Sequence, residues 1–337
     1  MHGQSSEQSH PAHYWLATDA ETAQVASHLS VSLAPGDAKE LTENFSRIFL
    51  FDGSDGEQRV VKIRARWMTE KRLKFEHALA EHLRDCGLPM VAPVTDEQGC
   101  TWAKVGDLFC EVAPYIDGRE ASPVLADVRS MGTMLGHFHR CSVDLDDSLY
   151  EPPYFQNQVE PQELEAMVRQ LGSDPLSARW KELADCYYSS ALSLPQVLRH
   201  GDFHPWNLLF SRAEPGRITA LFDLDMAAKG PRSYDISYAI FFLRNLHPEC
   251  PAEGWHTRYR RFIESYADTS DTPFTEAEAE VVPLQIECIA LHFLVIKAAD
   301  AGLEAAADEY EKYITVVDWL QTWGPKLTEI LGCGGLA

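Results

Sequence analysis

Alternating apolar and polar positions occupy the first third of the chain, and they predict a small antiparallel sheet. Residues 47–51 and 59–65 flank the turn GSDGE, which is typical of a β-hairpin. Further strands are predicted at 91–94, 100–105 and 108–116. Residues 69–87 carry apolar positions near helical spacing, so we expect one main helix beside the sheet.

The pattern changes after Gly118, where apolar residues recur mostly at helical spacing. Helices are predicted at 122–140, 161–171, 178–192, 255–267 and 275–302. Strand character interrupts them at 196–200 and 218–224. The chain therefore predicts an α+β fold with two lobes, a small N-terminal sheet lobe and a larger, mostly helical C-terminal lobe.

The predicted lobe boundaries follow from this change of pattern. We expect the N-terminal lobe at 1–113, a hinge at 114–118 and the C-terminal lobe at 119–337. Residues 1–14 are polar and rich in His and Ser, so we expect them to be disordered. They lack the basic and apolar regions of a secretory signal, which favours a cytoplasmic location.

Composition excludes several classes of partner. No apolar run approaches the roughly 20 residues of a membrane helix. A net charge of −22 disfavours nucleic acid and anionic lipid, although it would tolerate a cationic substrate. The eight cysteines include no CxxC pair, which argues against a zinc ribbon or a disulfide scaffold.

The segment 200–207, with the sequence HGDFHPWN, carries the strongest chemical signal, and a predicted hairpin leads from it to Asp223. Phosphoryl transfer needs a carboxylate that orients the attacking hydroxyl and accepts its proton, plus oxygen ligands that hold Mg²⁺ against the phosphates. Asp202 suits the first task. Asn207 and Asp223 suit the second, because Mg²⁺ prefers hard oxygen ligands.

This segment resembles the catalytic region of the aminoglycoside phosphotransferase/choline kinase-like family, in which HGDxxxxN lies on the catalytic loop and a later Asp binds metal. The resemblance implies a bilobal protein-kinase-like fold, with Asp202 as catalytic base and Asn207 and Asp223 as Mg²⁺ ligands. It also implies that His200 shapes the loop and that Asp235 braces it. Residues 131–140 resemble a helix of the same family, whose His139 we interpret as structural.

The N-terminal lobe supplies the expected nucleotide site. Lys62 lies in an apolar strand, where an unpaired Lys is costly, and Glu76 follows on the next helix. By the resemblance, this pair would orient the α and β phosphates of ATP or GTP. An edge strand with a solvent-facing Lys62 is the alternative, and Glu70 or Glu81 could replace Glu76.

Two more segments belong to this predicted nucleotide site. Ala113 to Ile116 resembles the hinge whose backbone would hydrogen-bond the purine. The loop at 41–47 should cover the phosphates, yet it contains no glycine, unlike GxGxxG and P-loop motifs. Asn44 and Ser46 are the candidate phosphate contacts, and a simple surface turn is the alternative.

The expected acceptor is a small-molecule alcohol. We favour an antibiotic of aminoglycoside or nucleoside type, whose phosphorylation would confer resistance, or a sugar or amino-alcohol. Neither the choice between ATP and GTP nor the oligomeric state follows from the sequence. The candidate acceptor contacts, for which core packing is the alternative, are Asp225, Trp255, Glu287 and His292.

Three other interpretations remain open at this point. His200, Asp202 and His204 form HxDxH, which would suit the metal site of a hydrolase. A Ser/Thr protein kinase would share the fold, although HRDxxxxN, DFG and APE segments are absent. A non-catalytic pseudokinase would bind ligand without turnover.

Overall fold

The computed structural model describes residues 16–42, 46–153, 178–183, 185, 193–246, 252–270, 272–301 and 306–332. They fall into two compact units, one from Met1–His77 and Val91–Tyr115, the other from Ala78–Met90 and Ile116–Ala337. The division after Tyr115 lies inside the predicted hinge, whereas 78–90 joins the second unit. The functional assignment of the two lobes stays a prediction.

The first unit is built on an antiparallel sheet, whose strands are β1 (Ala38–Thr42), β2 (Arg47–Asp52), β3 (Gln58–Ile63), β4 (Ala103–Val105) and β5 (Leu108–Pro114). Their order in the sheet is β1-β2-β3-β5-β4. Its helix α1 (Asp19–Leu29) begins with a capping box between Thr18 and Glu21. The apolar residues Phe49, Phe51, Val61 and Ile63 alternate along β2 and β3, so one face is buried with Val25 of α1.

The second unit is mainly helical. The helix α2 (Glu70–Asp85) begins in the first unit and ends in the second. The other helices are α3 (Leu125–Cys141), α4 (Ser233–Leu246), α5 (Ala252–Ala267), α6 (Glu276–Ala301) and α7 (Ala307–Gly332). Residues 178–183 are also helical. Among the helices described, none is both long enough and apolar enough to cross a membrane.

Close packing of α3 against α5 depends on two glycines. A Cβ at Gly132 would lie 2.1 Å from the carbonyl oxygen of Phe262, and one at Gly136 would lie 2.7 Å from that of Tyr266. The two backbones can approach this closely only because both positions lack a side chain. This contact brings the C-terminal half of α3, which carries His139, against α5.

Two short antiparallel pairs frame the segment 200–207. The strand β6 (Gln196–Arg199) pairs with β9 (Ala228–Pro231), and β7 (Leu208–Phe210) pairs with β8 (Ile218–Leu221). The segment therefore leaves β6 and enters β7, and Asp223 lies just beyond β8. The predicted hairpin between 207 and 223 is confirmed.

The predicted α+β class is confirmed by the antiparallel sheet and the helices. The prediction of a strand at 91–94 was wrong, since those residues belong to no strand, although the amide of Val94 donates to the carbonyl oxygen of Val112 at 2.6 Å. Pro93 has no N–H to offer a ladder. The elements α1, β1, β9, α4 and α7 were not predicted, and 1–14 and 161–171 lie outside the described residues.

Candidate active site

Asp235, in the first turn of α4, accepts hydrogen bonds from the backbone at the start of the segment 200–207. Its Oδ2 accepts the amide of His200 at 2.8 Å, and its Oδ1 accepts the amide of Gly201 at 2.9 Å. Burial by itself would raise the pKa of Asp235, but the hydrogen bond from His139 and the charge of Arg199 hold that pKa below its ordinary value. The carboxylate is therefore ionised at neutral pH.

His139 of α3 completes this brace. Its Nε2 lies 2.9 Å from Oδ2 of Asp235, and its Nδ1 lies 2.9 Å from the hydroxyl of Tyr266 on α5. The tautomer with the proton on Nε2 makes both bonds, because Nε2–H donates to the carboxylate and Nδ1 accepts from the hydroxyl. Three helices thus converge on the start of the loop.

Arg199, the last residue of β6, is 1% exposed and supplies a positive charge next to this brace. Its guanidinium lies over the ring of Tyr234, 4.5 Å from the centroid. Its Nε and Nη1 find no hydrogen-bond partner among the described residues. A Cβ at Gly230 would lie 2.6 Å from Nε, so only glycine leaves room for this side chain.

Gly201 allows the sharp turn between His200 and Asp202. Its φ is +80°, a conformation that L side chains rarely adopt. A Cβ there would also lie 2.0 Å from the carbonyl oxygen of Met226. The glycine of the HGD motif is thus required by backbone conformation and by the space available.

Asp202 is held by three side-chain donors. Its Oδ2 accepts Nδ2 of Asn207 at 2.8 Å and lies 3.3 Å from Nε2 of His204, and its carboxylate also accepts the hydroxyl of Tyr238. Burial would raise the pKa of Asp202, but the interactions with His204 and Tyr238 outweigh burial and lower it. Asp202 is therefore an oriented carboxylate at neutral pH, with a side chain 22% exposed.

Asn207 has an orientation that suits a metal ligand. Its Nδ2 donates both to the carbonyl oxygen and to Oδ2 of Asp202, each at 2.8 Å. The nitrogen is thereby committed to Asp202, which leaves the amide oxygen Oδ1 as the atom that can coordinate a hard cation.

Asp223 occupies a strained backbone conformation. Its φ of +69° lies in the left-handed region, which non-glycine residues enter rarely and Asp more readily than most. The preceding residue holds it there, because the amide of Phe222 donates to the carbonyl oxygen of Asn207 at 3.2 Å. This backbone hydrogen bond joins Asn207 to the residue directly before Asp223, so the two candidate metal ligands lie on neighbouring stretches of backbone.

The side chain of His200 also links Phe222 to the candidate catalytic loop. Its Nε2 donates to the carbonyl oxygen of Phe222 at 3.2 Å, and its Nδ1 accepts the amide of Asp202 at 3.3 Å. Burial lowers the pKa of His200, which favours this neutral form. Both ring nitrogens are engaged, so the arrangement argues against the interpretation of HxDxH as the metal site of a hydrolase.

The predicted nucleotide contacts lie apart from this loop along the chain. Glu76 is buried and forms ion pairs with Arg64 and with Arg72, the latter at 2.7 Å. Lys62 is half-buried on β3, opposite Glu111 of β5, and its charge contributes to the low pKa of that carboxyl. The ion pair between Lys62 and Glu76 stays a prediction. Sequence reasoning missed Arg64, which follows Lys62 by two residues.

The remaining predicted nucleotide residues are placed as follows. Ser46 is buried, and its hydroxyl has no hydrogen-bond partner among the residues that the structure describes. Ala113 pairs with Val60 in the ladder of β3 and β5, and Ile116 is half-buried. Asn44 lies outside the described residues.

Most of the predicted acceptor contacts lie in packed surroundings. Trp255 is buried and stacks on Tyr259, with ring centroids 5.2 Å apart. Glu287 is buried and accepts Nε and Nη2 of Arg179 at 2.7 and 2.6 Å. Burial lowers the pKa of His292 to about 4, and its Nδ1 has no hydrogen-bond partner within the described part of the chain. Asp225 is half-buried, and its amide donates to Oδ1 of Asp223 at 3.4 Å.

Tyr238 is a site residue that sequence reasoning missed. It follows Asp235 by three residues on α4, which places both side chains on one helix face. Burial and the nearby Asp202 carboxylate raise its pKa well above the ordinary value, so the hydroxyl remains a proton donor. The spacing of Asp235 and Tyr238 in SYDISY was the signal that could have found it.

Residues 37–269 match the model of the phosphotransferase enzyme family, APH. The chain belongs to this family. Among curated proteins, an N-acetylmuramate/N-acetylglucosamine kinase of Pseudomonas putida is 27% identical over 222 residues, 65% of this chain and 58% of that kinase. A homoserine kinase of Rhodopseudomonas palustris is 25% identical over 241 residues, 68% of each chain.

A solved structure supports the fold of this phosphotransferase family member. The amicoumacin kinase hAmiN, in complex with AMP-PNP, Ca²⁺ and Ami, has a TM-score of 0.71 at 16% identity, covering 93% of this chain and 94% of that one. The predicted protein-kinase-like fold is thereby confirmed. The predicted membership of the aminoglycoside phosphotransferase family is confirmed by the family match.

Proposed function

We propose that this protein transfers the γ-phosphate of a nucleoside triphosphate to a hydroxyl of a small molecule. The observation that carries the proposal is the contact between Asp202 and Asn207. Nδ2 of Asn207 orients the Asp202 carboxylate, while Oδ1 of Asn207 remains available to coordinate a metal ion. Membership of the phosphotransferase enzyme family supports the same reaction class.

Asp202 would act on the acceptor. Its carboxylate accepts a hydrogen bond from the attacking hydroxyl, aligns that oxygen with the γ-phosphorus, and takes the proton as the new O–P bond forms. The bond between the γ-phosphorus and the β,γ-bridging oxygen breaks, and the nucleoside diphosphate leaves. Three donors already stabilise its charge, so it is a weak base before transfer. That suits a loose transition state, in which the hydroxyl loses its proton late.

A divalent cation such as Mg²⁺ fits the donor set of Asn207 and Asp223. Both present oxygen, and Asp223 is kept in a strained conformation next to Phe222, whose amide Asn207 accepts. When bound, the cation would neutralise charge on the β and γ phosphates. Asp235 and His139 hold the loop, so that Asp202 is oriented before substrate arrives.

The donor and the acceptor are assigned at the level of class. We propose ATP or GTP as the donor, with Lys62, Ser46 and the segment 113–116 among its contacts. The acceptor is an alcohol of sugar, amino-alcohol or antibiotic type. Named relatives include kinases for an amino sugar and for homoserine, and a similar fold serves amicoumacin kinase.

The test is acceptor-dependent consumption of ATP and of GTP, measured separately with Mg²⁺. The acceptors are amino sugars, aminoglycosides, nucleosides, homoserine and ethanolamine, with a generic protein substrate as a further arm. Asp202→Asn should lower turnover by about 10²- to 10⁴-fold while nucleotide affinity changes little. Asp268→Asn, an exposed substitution after α5, is the matched control.

Each outcome separates the candidates. Phosphate on a small molecule, lost in Asp202→Asn and kept in Asp268→Asn, supports the proposal. Phosphate on polypeptide alone would favour a protein kinase. Nucleotide binding with no turnover in any arm would favour a pseudokinase.

A further inference from the structure

Trp206 differs from its neighbours in its exposure. It lies in the short 3₁₀ turn Pro205–Asn207, where Pro205 and Asn207 are both buried, yet it is 48% exposed. A large aromatic residue left half in water between two buried residues retains a broad apolar face for a ligand. Its position, directly before the candidate metal ligand, makes that face part of the active-site loop.

The indole is held by other rings. It meets His204 edge-to-face with centroids 5.7 Å apart and Phe242 of α4 at 5.7 Å. His204 and Phe242 in turn lie 4.8 Å apart, and Phe242 packs against Phe293 of α6 at 5.9 Å. A ring seated on two others loses little further freedom when a ligand covers its open face.

One imidazole separates this indole from the reacting group. His204 contacts Trp206 through its ring, and its Nε2 lies 3.3 Å from Oδ2 of Asp202. An acceptor whose hydroxyl is bound at Asp202 must extend away from that carboxylate. The exposed indole lies next to His204, so a ring in the rest of the acceptor has an apolar surface to stack on near Asp202.

We propose that Trp206 determines acceptor specificity by stacking on a sugar or aromatic ring of the acceptor, so that ring-bearing alcohols are preferred to linear amino-alcohols. This inference rests on the proposed function, and it specifies which class of acceptor fits the site. The stacking is present both before and during transfer, so it contributes to acceptor binding more than to the rate of the chemical step.

The experiment compares Trp206→Ala, Trp206→Phe and the wild type. The control is Tyr310→Ala, which removes an aromatic side chain of similar exposure, 43%, from α7. Ring-bearing acceptors are N-acetylglucosamine, kanamycin and uridine, and linear acceptors are ethanolamine, 1-amino-2-propanol and homoserine. KM and kcat are measured for each acceptor that turns over, and binding of all six is measured by ligand-observed NMR with AMP-PNP present.

Trp206→Ala should raise KM for the ring-bearing acceptor by about 10- to 100-fold, the range seen for ring stacking on aromatic side chains, with kcat nearly unchanged. Trp206→Phe should recover most of the affinity, and Tyr310→Ala should match the wild type. If Trp206→Ala weakens binding of the linear acceptors equally, ring stacking is overturned in favour of a contact between the acceptor's ammonium group and the indole. Two other results would also overturn the inference. One is that Trp206→Ala binds the ring-bearing acceptors as tightly as the wild type does. The other is that the wild type binds only the linear acceptors.

Failure of the proposed function has a different signature. In that case Asp202→Asn would keep full turnover, or no acceptor would be phosphorylated. Ligand-observed NMR would still show whether substitution of Trp206 weakens binding of the ring-bearing compounds. If turnover is intact and is lost in Asp202→Asn, but Trp206→Ala changes neither KM nor acceptor affinity, the specificity role of Trp206 is rejected and the kinase assignment is retained.

Discussion

Nε2 of His139 lies 2.9 Å from Oδ2 of Asp235, although 96 residues separate them in sequence. The carboxylate also accepts the backbone amides of His200 and Gly201, so one buried group receives donors from α3 and from the candidate catalytic loop. The orientation of Asp202 therefore depends on residues that need not touch substrate.

Replacing Asp235 by Ala should destabilise the protein strongly. The change leaves the amides of His200 and Gly201 and the imidazole of His139 buried without an acceptor, and losing one partner of such a group costs about 3–5 kcal/mol. Urea unfolding at pH 7 measures the free energy of unfolding. Asp268→Ala, at an exposed position, should stay within about 0.5 kcal/mol of wild type. If Asp235→Ala lowers the free energy of unfolding by less than about 1 kcal/mol, Asp235 does not hold the loop in the inferred way.

Gly201→Ala should be far more damaging than Gly56→Ala. Both glycines have nearly the same φ, +80° and +82°, so each substitution pays a similar conformational cost of about 1–2 kcal/mol. At Gly56 a Cβ meets nothing within 4 Å, whereas at Gly201 it would lie 2.0 Å from the carbonyl oxygen of Met226. The difference between the two variants in urea unfolding isolates the contact. Equal losses would mean that backbone strain alone matters.

Glu111→Gln should change how stability depends on pH. Burial would raise the pKa of Glu111, but Arg64 and His77 lower it to about 2. Because the folded pKa lies below the unfolded value of 4.5, the stabilisation is present above pH 4.5 and is lost as the pH falls toward 2. The wild type should lose about 2 kcal/mol more than Glu111→Gln between pH 6 and pH 3 in urea unfolding. Parallel curves would show that the carboxyl is not ionised preferentially in the folded state.

Asp223→Asn should weaken metal binding in the presence of nucleotide. The substitution keeps the shape of the side chain, and Asn tolerates the left-handed conformation, but it removes the negative charge that attracts the cation. We expect the Mn²⁺ concentration for half-saturation, read from water proton relaxation with AMP-PNP present, to rise about 10-fold or more. Asp268→Asn should leave it unchanged. An unaltered titration for Asp223→Asn would remove this residue from the metal site.

The sequence predicted the elements whose local pattern matched their final environment. Phe49, Phe51, Val61 and Ile63 alternate in the predicted hairpin as they do in the buried face of the sheet. The strand β1 was missed because it lies at the edge of the sheet and pairs through its backbone, so its sequence AKELT needs no alternating apolar face. Periodicity also suggested a strand at 91–94, where Pro93 prevents regular pairing.

Spacing alone singled out Asp202, Asn207 and Asp223 as candidates, and their catalytic and metal-binding roles stay a prediction. Spacing did not reveal that Tyr238 and His204 also contact the Asp202 carboxylate. Nor did it reveal that Arg64 and Arg72 both pair with Glu76, where Lys62 was the expected partner. Such partners are set by the approach of separate elements, and many arrangements of charged side chains satisfy one sequence pattern equally well.

By itself, the sequence determined the α+β class, the HGDxxxxN segment as the candidate catalytic loop and the hairpin that follows it, because these depend on hydrophobic period, turn residues and short-range spacing. The tertiary structure alone decided which groups surround the carboxylate of Asp202 and which helix face receives the loop. Those contacts join residues as distant as His139 and Asp235, and a buried polar group is stable only where folding supplies its partners.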